Sequence, residues 1–266
     1  MAATMTSENT ILLNRDTRGV VTVTLNRPQR RNAFDDRLIA ALLQALQQLD
    51  ADPEVRVVVL TGAQSVFCAG MDLDHMRRQG TLSEAENIAD ATTFARCLTT
   101  LDRMRKPVIA RVNGGAYGGG IGLIAAADLA IGVDAAKFAL TEVRLGIVPA
   151  VIAPYVVAAI GARQARRWFL SGSIFDARVA EKIGLLHSSV PATDLDAAVE
   201  HETQSILLGG PNALGAAKSL IRTVASTSGD QSKYTANLLA KLRASAEGQE
   251  GLAAFNEKRR PNWQSS

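Results

Sequence analysis

Apolar positions along the chain alternate between short continuous runs and helical stripes. Ile11–Leu13 and Val20–Leu25 are β-rich and are separated by Arg15-Asp16-Thr17-Arg18-Gly19, a hairpin turn. Arg27-Pro28 closes the second strand. From Asp35 to Asp50, Leu38, Leu42, Leu46 and Leu49 recur at helical spacing, with aspartates at the start. Val55–Thr61 reads as a buried strand ending at Gly62. A long helix is predicted from Ser83 to Arg105, with Glu84 and Glu86 in its first turn and Pro107 beyond its end. Strands follow at Val108–Val112, Leu129–Gly132 and Lys137–Leu140. Beyond Pro149 the pattern turns helical, at Ile152–Ile160, Ala162–Ser171, Ala177–Ile183, Leu195–Leu208, Asn212–Ser226, Tyr234–Ala246 and Gln249–Lys258. Residues 1–9 read as a frayed start and His75–Leu82 as a polar loop. Strands with intervening helices, then a helical final third, predict an α/β core carrying a helical extension.

The stretch that organises this pattern is Asn113-Gly114-Gly115-Ala116-Tyr117-Gly118-Gly119-Gly120, between the strand at Val108–Val112 and an alanine-rich helix predicted over Ile121–Ala127. A strand that turns through glycines into a helix leaves backbone N–H groups unpaired at the positive end of the helix dipole. Such a turn suits a phosphate or an oxygen that becomes anionic during reaction. A P-loop would need Lys and Ser/Thr after the last glycine, where Ile121-Gly122 stands, and the dinucleotide-binding spacing is absent. A second turn of similar character, Phe67-Cys68-Ala69-Gly70-Met71-Asp72-Leu73, also follows a strand. Two strand ends offering N–H groups could clamp one carbonyl oxygen between them.

Composition narrows the function classes. In 266 residues, 47% hydrophobic and 21% charged, there is material for a sizeable core. A net charge of +3 is too small to argue for nucleic acid, and no apolar run reaches the length of a membrane span. Cys68 and Cys97 cannot build a disulfide framework, and nothing resembles a signal peptide, so a cytoplasmic home is expected. No His, Cys and carboxylate set has metal-ligand spacing, so no metal is expected.

The two turns, together with Arg27-Pro28, Arg31-Asn32-Ala33, Glu142 with Leu145-Gly146-Ile147-Val148-Pro149, and Phe255 with Lys258-Arg259-Arg260-Pro261, occur in one order along nearly the whole chain. In this the chain resembles the crotonase (enoyl-CoA hydratase/isomerase) superfamily. The resemblance implies a ββα spiral core over residues 1–200 and a helical trimerisation region over 201–266, assembled as a homotrimer or a dimer of trimers. It implies an acyl-CoA substrate with no separate cofactor, the thioester carbonyl lying between the N–H of Met71 and the N–H of Gly119. Arg27 and Arg31 match basic positions near the CoA phosphates. Ala33, with Ala69, Gly70, Met71, Asp72 and Leu73, matches the wall that holds adenine and pantetheine, and Gly118 is counted with these binding residues. Phe255 and Lys258 match a pair that reaches the nucleotide end, often from a neighbouring subunit.

Acid–base residues choose the reaction. Hydratases of this superfamily commonly hold one water between two glutamates; Glu142 matches the second, but the first falls at Gly122, which has no carboxylate. The run Glu142 to Ile152 with Pro154-Tyr155-Val156-Val157 resembles the bacterial methylglutaconyl-CoA and isohexenylglutaconyl-CoA hydratases. That implies hydration of a branched, carboxylated enoyl-CoA, with Arg77, Arg78 and Arg144 as candidates for the distal carboxylate. One carboxylate also suffices for a Δ3,Δ2-enoyl-CoA isomerase, and a non-catalytic acyl-CoA-binding relative is the third reading. His75 is read as solvated or capping, with proton transfer as the alternative. Cys68 is read as packing within its turn, and His187 and His201 lie outside every motif.

Overall fold

The structure, a computed structural model, describes residues 9–264. In chain order its strands and helices are β1 (Ile11–Arg15), β2 (Val20–Leu25), α1 (Asp36–Ala51), β3 (Val57–Gly62), β4 (Val66–Cys68), α2 (Leu73–Gln79) and α3 (Glu84–Arg103). Then come β5 (Val108–Val112), β6 (Gly115–Tyr117), α4 (Gly119–Ala126), β7 (Leu129–Val133), β8 (Lys137–Ala139) and α5 (Ala153–Ser171). The remainder is β9 (Phe175–Asp176), α6 (Ala177–Lys182), β10 (Ser188–Val190), α7 (Leu195–Leu207), α8 (Pro211–Ser226), α9 (Ser232–Arg243) and α10 (Ala246–Asn256).

The strands sort into two sheets, β1-β2-β3-β5-β7-β10 and β4-β6-β8-β9. Apart from the β1/β2 hairpin and the β8/β9 pair, every pairing is parallel. Each of β3-β4, β5-β6 and β7-β8 lays one strand in the large sheet and the next in the small one before the chain turns helical. That alternation is the ββα spiral the resemblance implies, and it brings β4, β6 and β8 side by side at one end.

Local chemistry accounts for the helix starts. The Asp35 carboxylate accepts from the Leu38 N–H, and α1 then buries Leu38, Ile39, Leu42, Leu46 and Leu49 on one face. Ser83 and Glu86 cap α3 reciprocally. The run at Val57–Gly62 is buried at every position, as a strand covered on both faces must be. Among the described residues no helix is long and apolar enough to cross a membrane.

Several expectations need correction. The segment beginning at His75 is not a loop: α2 runs to Gln79, its start capped by Asp72, whose carboxylate accepts from the N–H groups of Asp74 (2.9 Å) and His75 (3.4 Å). A helix of seven residues shows too little periodicity to be read. The helices expected at Ile152–Ile160 and Ala162–Ser171 abut as α5, broken at Gly161 (φ 73°, ψ 154°). Strands β4, β6, β9 and β10, of two or three residues each, were not expected. Of the frayed start, residues 1–8 lie outside the described residues.

The helical final segment is latched to the core. Lys218 on α8 donates to the Asp128 carboxylate (2.5 Å) and to the Lys106 carbonyl (3.0 Å). Burial raises the Asp128 pKa against the pull of that ammonium. Lys218→Met is therefore expected to lower Tm by less than breaking a buried pair usually does (about 3–5 kcal/mol), because Asp128 takes up a proton. Thermal unfolding monitored by circular dichroism measures this; an unchanged Tm would show the latch idle.

Candidate active site

The site begins with two neighbouring parallel strand ends. Cys68 of β4 pairs with Ala116 of β6, so Met71 and Gly119 each lie three residues past a paired position. Phe34 donates its N–H to the Gly70 carbonyl and accepts from the Asp72 N–H, both at 2.8 Å. This bridge leaves the amide of Met71 on the opposite side, facing away from Phe34. Gly119 opens α4, where the first N–H has no partner within the helix, and Gly118 supplies no side-chain cap. Neither amide has a hydrogen-bond partner among the described residues. The two turns touch: Gly70 has φ +87°, and a Cβ there would lie 2.9 Å from the Tyr117 carbonyl oxygen.

Close neighbours dictate the glycines of the second turn. At Gly118 (φ +48°) a Cβ would stand 2.9 Å from Glu142 Oε1. At Gly119 it would lie 3.0 Å from Phe94 Cζ, and at Gly120 2.8 Å from Cys68 Cβ. Exposed amides and close packing are thus one device, since only bare backbone lets all these groups approach the start of α4.

Glu142 follows β8 and opens a single helical turn, Glu142–Leu145, which Gly146 closes in the left-handed conformation (φ 74°). Its Oε2 is buried without a hydrogen-bond partner among the described residues. Burial raises its pKa, with only its own backbone amide pulling the other way. A desolvated carboxylate against a turn with free N–H groups combines a proton acceptor with a cradle for negative charge. Further along α4, Gly122 leaves no room for a second acid, for a Cβ there would overlap Ile152 Cγ2 and stand 2.8 Å from Ile152 Cβ.

Other expected residues fall in two places. Arg27 is only 13% exposed in its side chain and is engaged by Asp35 (3.0 Å), Asp72 (3.2 Å) and the Ala33 carbonyl (2.5 Å). Its guanidinium fixes the turn that carries Met71. Arg31 is exposed, on left-handed backbone (φ 52°), and makes no ion pair among the described residues. With Ala69, Tyr117 and Lys137 it lines an open groove of about 480 Å³. Lys137 had no motif to mark it, because its neighbours come from separate strands. Leu73 is exposed beside the Met71 turn, and Phe255 on α10 is 82% exposed, with Lys258 beyond it on left-handed backbone (φ 55°). Cys68 and Cys97 are buried and their thiols are pushed up to about 12, which fits packing.

His75 is not solvated. It is 3% exposed, its Nδ1 lying 3.1 Å from Asp36 and its Nε2 3.3 Å from Asp90. Arg78 adds a contact to Nδ1 at 3.1 Å. Asp36, His75 and Asp90 offer ligand-type atoms within 4.8 Å of one another, a grouping that sequence spacing could not reveal since each sits on a different helix. The two carboxylates face opposite ring nitrogens. The imidazole thus lies between α1 and α3; its Nδ1 contacts Arg78, and its Nε2 makes no hydrogen bond among the described residues.

Comparison with known proteins agrees with this architecture. A crystal structure of an enoyl-CoA hydratase from Shewanella pealeana superposes with a TM-score of 0.92 at 38% identity, covering 96% of both chains. A Legionella pneumophila structure, provisionally titled enoyl-CoA hydratase/isomerase (crotonase), gives 0.90 at 39% identity, covering 97% of this chain and 100% of that one. The fold is the mixed α/β fold of crotonases. The enoyl-CoA hydratase/isomerase sequence profile matches residues 15–266. A Thermus thermophilus protein provisionally named enoyl-CoA hydratase is 34% identical over 245 residues, 92% of this chain and 97% of its own length. The chain belongs to the enoyl-CoA hydratase/isomerase family.

Proposed function

We propose that this family member hydrates the α,β double bond of a branched, carboxylated enoyl-CoA of the methylglutaconyl or isohexenylglutaconyl type. The observation that carries the reading is the buried, unpartnered Glu142 oxygen beside two free amides from adjacent strand ends. The N–H groups of Met71 and Gly119 receive the thioester oxygen and stabilise the enolate. Glu142 takes a proton from water as the water oxygen bonds to the β-carbon, then returns that proton to the α-carbon. The net change is H and OH added and the carboxylate restored. Ala33, Ala69, Gly70, Asp72 and Leu73 wall the adenine and pantetheine, Gly118 carries the turn, and Arg31 meets the phosphates.

For the distal carboxylate the pairings favour Arg144. Arg77 already pairs with Asp74 and Arg78 with Asp36, whereas among the described residues Arg144 makes only a 3.4 Å bond to the Ser171 carbonyl, and it lies two residues from Glu142. Arg144→Met is expected to raise KM about tenfold for a glutaconyl-type thioester and little for crotonyl-CoA, the size of one charge-assisted contact. Equal effects on both substrates in steady-state assays would remove Arg144 from this role. The absence of an acid at position 122 also supports an isomerase, since one carboxylate can shuttle a proton between two carbons. Product mass decides: hydration adds one water, isomerisation none, and a folded protein that binds acyl-CoA without turnover is the non-catalytic relative.

Exposed apolar side chains on the final helices, Ile221, Val224, Leu239, Leu252 and Phe255, support self-association as a homotrimer or dimer of trimers. In that assembly Phe255 and Lys258 would serve the nucleotide end of a neighbour's substrate.

A further inference from the structure

Gly118 and Gly122 lie one turn apart at the start of α4, where the Gly122 N–H donates to the Gly118 carbonyl at 3.3 Å. Glu142 packs over the first of these glycines and Ile152 over the second. Ile152 is 3% exposed and precedes α5, and Leu98 of α3 closes the same spot, 3.7 Å from a Cβ at position 122. The space that a side chain on position 122 would enter is therefore filled by hydrocarbon.

We propose that Ile152 is the positioning residue that restricts this site to one carboxylate: its side chain fills the space that an acid on position 122 would need. Gly122 and Ile152 then act as one unit. A substitution at either makes sense only with the other, and an acid at position 122 is excluded by packing. This deepens the proposed function and rests on the reading of Glu142 as the proton carrier.

Four proteins test it: wild type, Gly122→Ala, Ile152→Ala and the double variant. Gly122→Ala should lower Tm by several degrees in the wild-type background and by little when Ile152 is already alanine, because its new methyl then has room. A fifth and sixth, Gly122→Glu and Gly122→Glu with Ile152→Ala, read out chemistry. The single variant should lose hydration of crotonyl-CoA, and the paired variant should exceed Ile152→Ala alone at least tenfold. Equal Tm losses for Gly122→Ala in both backgrounds would overturn the packing claim. A paired Glu variant no faster than Ile152→Ala would overturn the claim that the isoleucine occupies the acid's place. If wild type adds no water to any enoyl thioester, the function reading fails while the Tm coupling still stands or falls by itself.

Discussion

Glu142→Gln is expected to lower kcat by about 10²–10⁴, the usual contribution of a positioned acid–base group, with acyl-CoA binding retained. Glutamine keeps the shape and cannot carry the proton. The same substitution should raise stability, because burial already penalises this carboxylate and raises its pKa. The sign follows from linkage. Between the ordinary glutamate range and the raised value the native state holds more protons than the unfolded one, so wild-type stability falls as pH rises through that window. Glu142→Gln should therefore melt higher than wild type near neutrality, with the advantage fading as pH falls to the ordinary carboxylate range. Catalysis runs the other way. Glu142 must be ionised to accept a proton, so kcat should fall as pH drops, with its midpoint above the ordinary glutamate value. A Gln variant with wild-type kcat would remove Glu142 from the chemistry; one that is inactive and less stable would contradict the stored desolvation.

Arg27→Met should be the most damaging change away from the reacting groups. Burial pushes the Asp72 carboxyl up, but the N–H groups of Asp74 and His75 together with Arg27 outweigh it and hold the pKa below its ordinary value. Removing the guanidinium leaves that nearly buried carboxylate short of its counter-charge, which typically costs about 3–5 kcal/mol, or roughly 6–20 °C in Tm for a chain of this size. Because Asp72 has a lowered folded pKa, the stability it contributes is present above the ordinary aspartate value and lost as pH falls below it. The deficit of the variant should shrink over that same range. Asp72 adjoins Met71 and caps α2, so kcat/KM should fall too. If the Arg27→Met protein melted like wild type but bound CoA weakly, the residue would be a phosphate ligand and not a staple.

Legibility in the sequence followed the length of each signal. Helices α1 and α3 carried repeating leucines or a capping box, and both were found close to their ends. Glu142 and the two glycine turns could be named because their motifs are contiguous. What was lost was anything assembled across elements. Arg27 matches a basic position near the CoA phosphates, and only the fold discloses that Asp35, Asp72 and the Ala33 carbonyl also engage its guanidinium. His75 reads as solvated or capping because the carboxylates beside its ring lie far off in sequence, on α1 and α3. Gly122 stands in the sequence where the resemblance implies an acid, but Ile152, thirty positions on, explains the glycine only through packing.

The most direct measurement is a crystal structure with a bound, non-reactive CoA thioester or enolate mimic. It should place one substrate oxygen about 2.7–3.1 Å from the amide nitrogens of both Met71 and Gly119, with a Glu142 oxygen within reach of the reacting carbons. A thioester oxygen held by any other pair of donors, or Glu142 turned away from the acyl chain, would contradict it.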